Sequence, residues 1–384
     1  MKSKRWVCVF FILFFAGIAA FMSLNYTLDP LDYFTVRKHK TSYDTNSYAR
    51  AIKSEYLVKN AEDFNAVVLG GSKAGVLSTE LLSEYTGKNY YNFYFNSGNF
   101  SDYEKYLAFL IEHVGISEVT LHLSSFETQY YTKEGEGNYV FEVPAILTGN
   151  PWSKLTEFCN YLMTDIKTTL QEAKNKQEGS YSTDDVATGE RIWGQAIESM
   201  AKDPDAFAKR HVTNNFEKNL QKFFNQNASQ YTAFDANIAA LKRIKALCEE
   251  NDVTLKVVIG ASFIGERYSY ECYRYYDYLR QLVEITDVWD FSSYSSINKN
   301  PYNFINAKHY DNAVADLMVN IMYGKEDGES FGIYLTKSNI DDYLDQRISD
   351  YRQLKEEFET TGTIELQGLE DDSYIVAAQQ SNTP

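Results

Sequence analysis

The N-terminal part of the chain carries a long apolar run. Nineteen consecutive uncharged, mainly apolar residues extend from Trp6 to Leu24. At about 1.5 Å per helical residue they span roughly 28 Å, close to the hydrocarbon thickness of a bilayer. Three basic residues precede the run, as is typical of the cytoplasmic side of a membrane segment. The pattern predicts a single-pass anchor in the cell membrane over residues 1–26, with everything after Leu24 outside the cytoplasm.

A cleaved signal peptide is the alternative for this segment. Gly17, Ala19 and Ala20 are small enough to precede a cleavage site. The apolar run continues beyond them through Phe21 and Met22, which favours a retained helix.

The next pattern is a repeat of short apolar strands, tight turns and amphipathic helices. Strands are predicted at 66–69, 90–95 and 119–123, because each is a short run of apolar or aromatic residues that ends in Gly, Ser or Asn. Helices are predicted between them, from Ser72 to Tyr85 and from Asp102 to Val114. Alternating strands and helices predict an α/β fold with a parallel sheet that is covered on both faces.

The repeat is interrupted and then resumes. Residues 127–235 are polar and predict a helical insertion. After them the pattern predicts a helix, a strand, a second helix and a short strand, and the ranges are 239–250, 254–260, 268–284 and 288–291. A last core helix is expected after His309. We predict an α/β domain over residues 27–330, followed at 331–384 by an acidic helix (340–358) and a disordered tail.

The composition argues against several classes of partner and site. The chain has 37 basic and 53 acidic residues and a net charge of -16, which argues against a nucleic-acid partner. The four cysteines lack metal-ligand spacing, and no phosphate-binding glycine motif is present, so the sequence predicts neither a metal site nor a cofactor.

Ser72 is the first candidate for chemistry. It follows the strand 66–69 through Gly70 and Gly71, so its hydroxyl would project above the sheet at the first turn of a helix. A nucleophile suits that position. A serine that only caps the helix N-terminus is the alternative interpretation.

His309 is the second candidate. It is one of five histidines and follows the strand and loop of residues 288–306. Histidine is the side chain best suited to accept a serine proton near neutral pH. A histidine that packs or caps at a helix start is the alternative.

These two segments resemble known enzymes. Val67-Val68-Leu69-Gly70-Gly71-Ser72 is similar to the first block of the SGNH/GDSL hydrolases, and Asn306-Ala307-Lys308-His309 resembles their last block, which carries Asp-x-x-His. The subset that it most resembles is membrane-anchored and includes D-alanyl-lipoteichoic-acid transfer proteins and polysaccharide O-acetylation proteins. The resemblance implies a three-layer, flavodoxin-like parallel sheet.

The resemblance also implies roles for individual residues. Ser72 would be the nucleophile, and His309 would be the general base. The backbone N–H groups of Ser72 and Gly98, with the side-chain amide of Asn99, would bind an oxyanion. The family's third donor, an Asn after the next strand, has no match, because Ser124 and Ser125 follow Leu123.

Asn306 departs from the family pattern, because it stands where the family has an aspartate. An amide oxygen can orient the His309 ring but cannot stabilise imidazolium by charge, and this change costs about 10⁴ in kcat in the serine proteases. Asp290 and Asp311 are the nearest carboxylates in sequence that could replace it.

Three functions follow from these patterns. The first is an extracytoplasmic serine-dependent acyl transferase or esterase that acts on cell-wall or exopolysaccharide hydroxyls. The second is a catalytically silent binding or assembly module that works beside an integral-membrane acyltransferase. The third is a structural envelope protein, which we would expect to leave Ser72 and His309 too far apart for a hydrogen bond.

Overall fold

The computed structural model of the protein describes residues 2–45, 48–124, 150–178, 182–224, 233–264, 273–328 and 331–366. Its helices are α1 Lys2–Leu28, α2 Ala49–Lys59, α3 Thr79–Thr86, α4 Phe100–Val114, α5 Pro151–Leu162, α6 Ile166–Glu178, α7 Gly194–Lys202, α8 Pro204–Ala208, α9 Asn214–Phe224, α10 Phe234–Glu250, α11 Tyr273–Ile285, α12 Ser296–Lys299, α13 Asn312–Met322 and α14 Ile340–Thr361. Its strands are β1 Ser42–Asp44, β2 Ala66–Gly70, β3 Tyr90–Tyr94, β4 Glu118–Leu123, β5 Thr183–Asp185, β6 Arg191–Ile192, β7 Thr254–Ile259, β8 Val288–Asp290, β9 Phe304–Asn306, β10 His309–Tyr310 and β11 Ile333–Leu335.

A six-stranded sheet forms the centre of the fold. Its strand order is β11-β8-β7-β4-β2-β3, and all neighbours pair in parallel except the antiparallel edge strand β11. The predicted α/β class with a mostly parallel sheet is thus confirmed. In order of appearance, the five parallel strands stand in the sheet as 2-1-3-4-5, one common order of doubly wound sheets. In such sheets ligands bind where the winding direction reverses, which here is the gap between the carboxyl ends of β2 and β4.

Two apolar layers cover the sheet because side chains alternate between its faces. On β2, Val67 and Leu69 enter one core, which includes residues of α4, α10 and α11. Ala66 and Val68 enter the other, which includes residues of α3 and α13. This alternation of buried side chains produces the three layers.

The inserted region contains strands as well as helices. Helices α5 to α9 lie within the range 127–235, as predicted. The structure adds β5 and β6; β5 pairs with both β1 and β6 in a small antiparallel sheet. Strands of two or three residues are too short to show a period, so the sequence did not predict them. Parts of the predicted insertion, at 125–149, 179–181 and 225–232, lie outside the described residues.

The C-terminal segment continues the central sheet past the boundary predicted at residue 330. Strand β11 pairs with β8 from Ile333 to Leu335. The predicted acidic helix is present as α14, and buried Leu344 and Tyr343 on it join the core beneath the sheet. The predicted tail beyond residue 366 lies outside the described residues.

Helix α1 is long and apolar enough to span a membrane. Its apolar part is exposed on the protein, whereas Asn25 in its last turn is buried. The helix therefore ends inside the folded domain.

Candidate active site

The turn after β2 places Ser72 at the reversal point of the sheet. Ser72 begins a 3₁₀ turn, Ser72–Val76, that follows Gly71. A side chain at Gly70 would lie 2.8 Å from the Ala74 Cβ and from the His122 backbone oxygen, so this close turn requires glycine there. The helix predicted from Ser72 to Tyr85 is interrupted, and α3 begins only at Thr79.

Ser72 does not cap that helix. The side chain of Ser78 accepts the N–H of Leu81 and so caps α3. The Ser72 hydroxyl oxygen instead lies 2.8 Å from Nε2 of His309. The structure therefore brings together two predicted residues that are 237 positions apart in the chain.

His309 lies on a hairpin rather than at a helix start. It begins β10, which pairs with β9 in antiparallel fashion. The last core helix, α13, begins at Asn312, and Asp311 caps it. The hairpin extends the imidazole ring toward the turn that carries Ser72.

Asn306 holds the other nitrogen of this ring. Its side-chain oxygen lies 3.0 Å from His309 Nδ1 and also accepts the backbone N–H groups of Lys308 and His309, at 2.9 and 3.1 Å. The two backbone donors fix which end of the amide faces the ring. Since an oxygen only accepts, the hydrogen of the neutral ring lies on Nδ1, and the Nε2 lone pair faces Ser72.

The two carboxylates considered as substitutes for the family's aspartate bind elsewhere. Asp290 accepts the Ser292 N–H at 2.7 Å and the Tyr343 hydroxyl at 2.6 Å. Asp311 accepts the Val314 N–H at 2.9 Å. Neither is the Nδ1 partner, so an amide orients the ring.

The surroundings of His309 favour its neutral form. Burial lowers the pKa of the imidazole well below its ordinary 6.5, and the positive charges of Arg191, Lys73 and Lys308 lower it further. A neutral imidazole can accept a proton at Nε2. The same charges oppose the imidazolium that forms when it does.

Arg191, from β6 of the inserted region, links the loops of the site. Its guanidinium donates to the Ser72 backbone oxygen at 3.1 Å, to the Asn96 side-chain oxygen at 2.6 Å and to the Tyr94 hydroxyl at 3.1 Å. The planar fork of an arginine suits such multiple donation. Arg191 thereby holds the Ser72 turn against the loop that follows β3.

Aromatic rings enclose this guanidinium. Its central carbon lies 4.8 Å from the ring centres of both Tyr94 and Trp193. The Trp193 ring also meets the His309 ring edge-on, with centres 5.4 Å apart. Sequence patterns did not single out Arg191 or Trp193, because they stand in a polar region where the two-residue strand β6 has no recognisable period.

Lys73 follows Ser72 in the same turn and is buried. Its Nζ donates to the Ala261 backbone oxygen at 3.4 Å and to the Ser262 hydroxyl at 3.0 Å. The 3₁₀ turn directs it beneath the site rather than outward. A positive charge therefore lies close to Ser72 and His309.

Gly98 and Asn99, which were predicted to bind an oxyanion together with the Ser72 N–H, lie in the loop between β3 and α4. This loop runs beside the Ser72 turn, because β2 and β3 are paired and the Phe95 N–H donates to the Gly70 oxygen at 3.1 Å. At Gly98 a side chain would lie 2.9 Å from the rings of Phe95 and Tyr103, so glycine is needed for this packing.

The side chain of Asn99 is committed to a helix cap. Its oxygen accepts the N–H groups of Ser101 and Asp102, and its nitrogen lies 3.4 Å from the Asp102 carboxylate. The structure thus directs the amide toward α4, away from the predicted oxyanion role. Ser124 is buried at the end of β4, and Ser125 lies outside the described residues.

A buried lysine attaches the inserted region to the central sheet. Lys53 Nζ donates to the backbone oxygens of Asn92, Tyr94 and Gly189 at 3.0, 3.1 and 2.7 Å. Asp184 of β5 accepts the Tyr94 hydroxyl. These bonds fix the segment that carries Arg191 against β3.

Searches of family models, curated proteins and solved structures find no match to this chain. Within the described residues, no group of three or more His, Cys, Asp and Glu side chains is arranged to hold a metal ion.

Proposed function

We propose that this protein is a serine-dependent acyl transferase or esterase that acts outside the membrane on cell-wall or exopolysaccharide hydroxyls. The observation that supports this best is the 2.8 Å contact between the Ser72 hydroxyl and His309 Nε2, with Nδ1 of the same ring held by Asn306. Nucleophile, base and orienting group thus form one chain of hydrogen bonds, an arrangement that can activate a serine for acyl transfer.

In the proposed reaction, Nε2 of His309 takes the hydroxyl proton while Ser72 Oγ attacks the acyl carbonyl. The tetrahedral intermediate collapses, the leaving group receives the proton from Nε2, and Ser72 holds the acyl group as an ester. A sugar hydroxyl or water then gives its proton to Nε2 and attacks the ester, and Nε2 returns that proton to Ser72 Oγ as the ester bond to Ser72 breaks. Asn306 positions the ring throughout, as the amide does in Cys-His-Asn enzymes.

The fold supports the same proposal. The strand order 2-1-3-4-5 is flavodoxin-like, and Ser72 stands at its reversal point, where doubly wound sheets bind ligands. The resemblance of the Ser72 and His309 segments to the SGNH/GDSL hydrolases suggests polysaccharide hydroxyls as acceptors. An integral-membrane acyltransferase is the partner that this resemblance suggests.

The location is part of the proposal. Helix α1 would be retained as a single-pass anchor, with its basic N-terminal end in the cytoplasm and the α/β domain outside. The donor and the acceptor would then both be found at the outer surface of the membrane.

The direct test is labelling of the purified full-length protein by a fluorophosphonate probe, which reacts with activated serines. We expect labelling of the wild type, none in Ser72→Ala, and strong loss in His309→Ala. Cells that carry Ser72→Ala in place of the wild type should lack the acylated polysaccharide. Intact modification in those cells would refute the proposed reaction.

A second candidate is a catalytically silent module that binds polysaccharide or assists a membrane acyltransferase. It is favoured by the environment of His309, which has an amide at Nδ1 and the positive charges of Arg191 and Lys73 nearby. Folded wild-type protein that resists the probe would support this candidate over the enzyme.

A further inference from the structure

Helices α5 and α6 form a hairpin with an exposed apolar edge. Met163, Ile166 and Leu170 are 47%, 48% and 57% exposed. Trp152 and Leu155 at the start of α5 are exposed as well. Single exposed apolar residues are ordinary on a protein surface, so the position of these side chains relative to α1 decides what they mean.

The hairpin is fixed to the end of α1. The Asn25 side-chain nitrogen donates to the backbone oxygens of Leu162 and Thr164, both at 2.8 Å, and its oxygen accepts the Thr169 hydroxyl at 2.6 Å. Asn25 directly follows the apolar run that ends at Leu24. The connection between α5 and α6 therefore lies level with the end of the membrane-spanning part of α1.

Apolar packing extends this contact into the run itself. Met22 packs against a cluster that contains Leu162, the last residue of α5. Met163 follows Leu162 directly and is exposed. The tip of the hairpin thus stands beside residues of α1 that the sequence assigns to the bilayer.

The same geometry orients the start of α6. Thr169 is buried against Asn25. Ile166 and Leu170 are one helical turn apart on a face next to the one that carries Thr169, since residues at i and i+4 share a helix face. Both exposed residues therefore lie within one helical turn of a residue that is bonded to the end of α1.

We propose that the α5–α6 hairpin enters the bilayer interface, with Met163, Ile166 and Leu170 in contact with lipid beside α1. Lipid is the occupant because these three residues lie level with the end of a helix surface that itself requires lipid. Exposed Tyr26 in the last turn of α1 adds an aromatic residue of the kind enriched at membrane interfaces. The hairpin then holds the domain at a set height and tilt above the membrane. This inference rests on the proposed anchor and is independent of the Ser72 chemistry.

The test places a polarity-sensitive NBD fluorophore on single cysteines in the full-length protein. The background removes the native cysteines through Cys8→Ala, Cys159→Ser, Cys248→Ala and Cys272→Ser. Labels go to Met163→Cys, Ile166→Cys and Leu170→Cys. Phe14→Cys in α1 is the control for lipid, and Glu249→Cys, at an exposed position of α10, is the control for water. Each protein is reconstituted alone into phosphatidylcholine vesicles, with fluorophosphonate labelling of Ser72 recorded separately.

We expect the three hairpin labels to emit at shorter wavelength than the label at 249, to be quenched by doxyl-labelled lipids and to resist aqueous iodide. Hairpin labels that behave like the label at 249 would overturn the proposal and would leave the face open to a membrane-protein partner. Absence of lipid quenching at Phe14→Cys would overturn the anchor and this inference together. None of these outcomes depends on whether Ser72 reacts with the probe.

Discussion

The side-chain oxygen of Asn306 lies 3.0 Å from Nδ1 of His309, the ring nitrogen opposite the one that contacts Ser72. This amide orients the His309 ring but carries no negative charge. The site thus has the geometry of a serine hydrolase and lacks the carboxylate that stabilises imidazolium in most of them. In the proposed reaction, the rate at which Ser72 attacks would depend on that difference.

Replacement of Asn306 by Asp should increase the rate at which Ser72 reacts with the fluorophosphonate probe. A carboxylate in the same place would keep the hydrogen bond to Nδ1 and add a negative charge for the imidazolium. We expect Asn306→Asp to raise the rate of fluorophosphonate labelling by about tenfold to 10³-fold, within the ~10⁴-fold effect of the reverse change in a serine protease. Asn306→Leu is the matched control and should lower the rate. A folded Asn306→Asp protein that labels no faster than wild type would contradict this role.

The rate of labelling should fall only at a lower pH than an ordinary histidine would give. The active form of His309 is the neutral ring, and burial with three nearby cations holds its pKa well below 6.5. As pH falls, an unperturbed histidine would be about 90% protonated one unit below its pKa and would lose its function as a base. We expect the wild-type rate to stay level through pH 6.5 and to decline only at lower pH. In Asn306→Asp the decline should begin at higher pH. A wild-type midpoint at or above 6.5 would contradict the assigned environment.

Arg191 should prove to be a positioning residue with a separate electrostatic effect. Arg191→Lys keeps the positive charge but loses the fork that joins the Ser72 oxygen to Asn96. We expect a rate loss of about 10²-fold, as for a small misplacement of a reacting group, with the pH profile unchanged. We expect Arg191→Gln to be labelled more slowly as well. The pH at which its labelling rate declines should also be higher, since a cation beside His309 is removed. Identical pH profiles in the two variants would refute the electrostatic part.

Gly260 should be intolerant of any side chain. A Cβ there would lie 2.0 Å from Nε2 of His122, the atom that bonds the Tyr310 hydroxyl at 2.8 Å. Tyr310 follows His309 on β10, so displacement of His122 would disturb the β9–β10 hairpin that carries His309. We expect Gly260→Ala to lower the free energy of unfolding in urea by about 1–3 kcal/mol, a usual cost of overpacking, and to slow labelling.

Gly194→Ala is the matched control for this substitution. A Cβ at Gly194 would meet nothing within 4 Å, so we expect neither stability nor labelling to fall. Equal effects of the two substitutions would show that the contact between Gly260 and His122 does not matter.

Most strands of the central sheet could be predicted because each is a continuous run of mainly apolar residues in the sequence. Strand β2 is buried along its whole length, and it was predicted at 66–69 and observed at Ala66–Gly70. Strand β11 was not predicted, because it has three residues in an acidic segment and forms only through pairing with β8. The small sheet of β1, β5 and β6 escaped prediction for a similar reason: its strands have two or three residues, and β1 pairs with a strand more than 100 residues away in sequence.

Within the site, residue type and turn chemistry identified Ser72 and His309. Arg191 and Lys73 could not be found in this way, because charged residues in polar sequence are usually solvated. Their burial follows from tertiary contacts with Ser72, Asn96 and Ser262 that no local pattern records. The side-chain direction of Asn99 was likewise set by capping of α4, a competing use of the same amide.

The attachment of Arg191 has a consequence for how the chain matures. Arg191 lies 119 residues after Ser72 and His309 lies 237 after it, so neither partner of the serine exists in a newly emerged N-terminal portion. A chain still being synthesised would carry Ser72 as an ordinary alcohol. We therefore expect Ser72 to become nucleophilic only after the whole domain has folded, so that incomplete chains are not acylated prematurely.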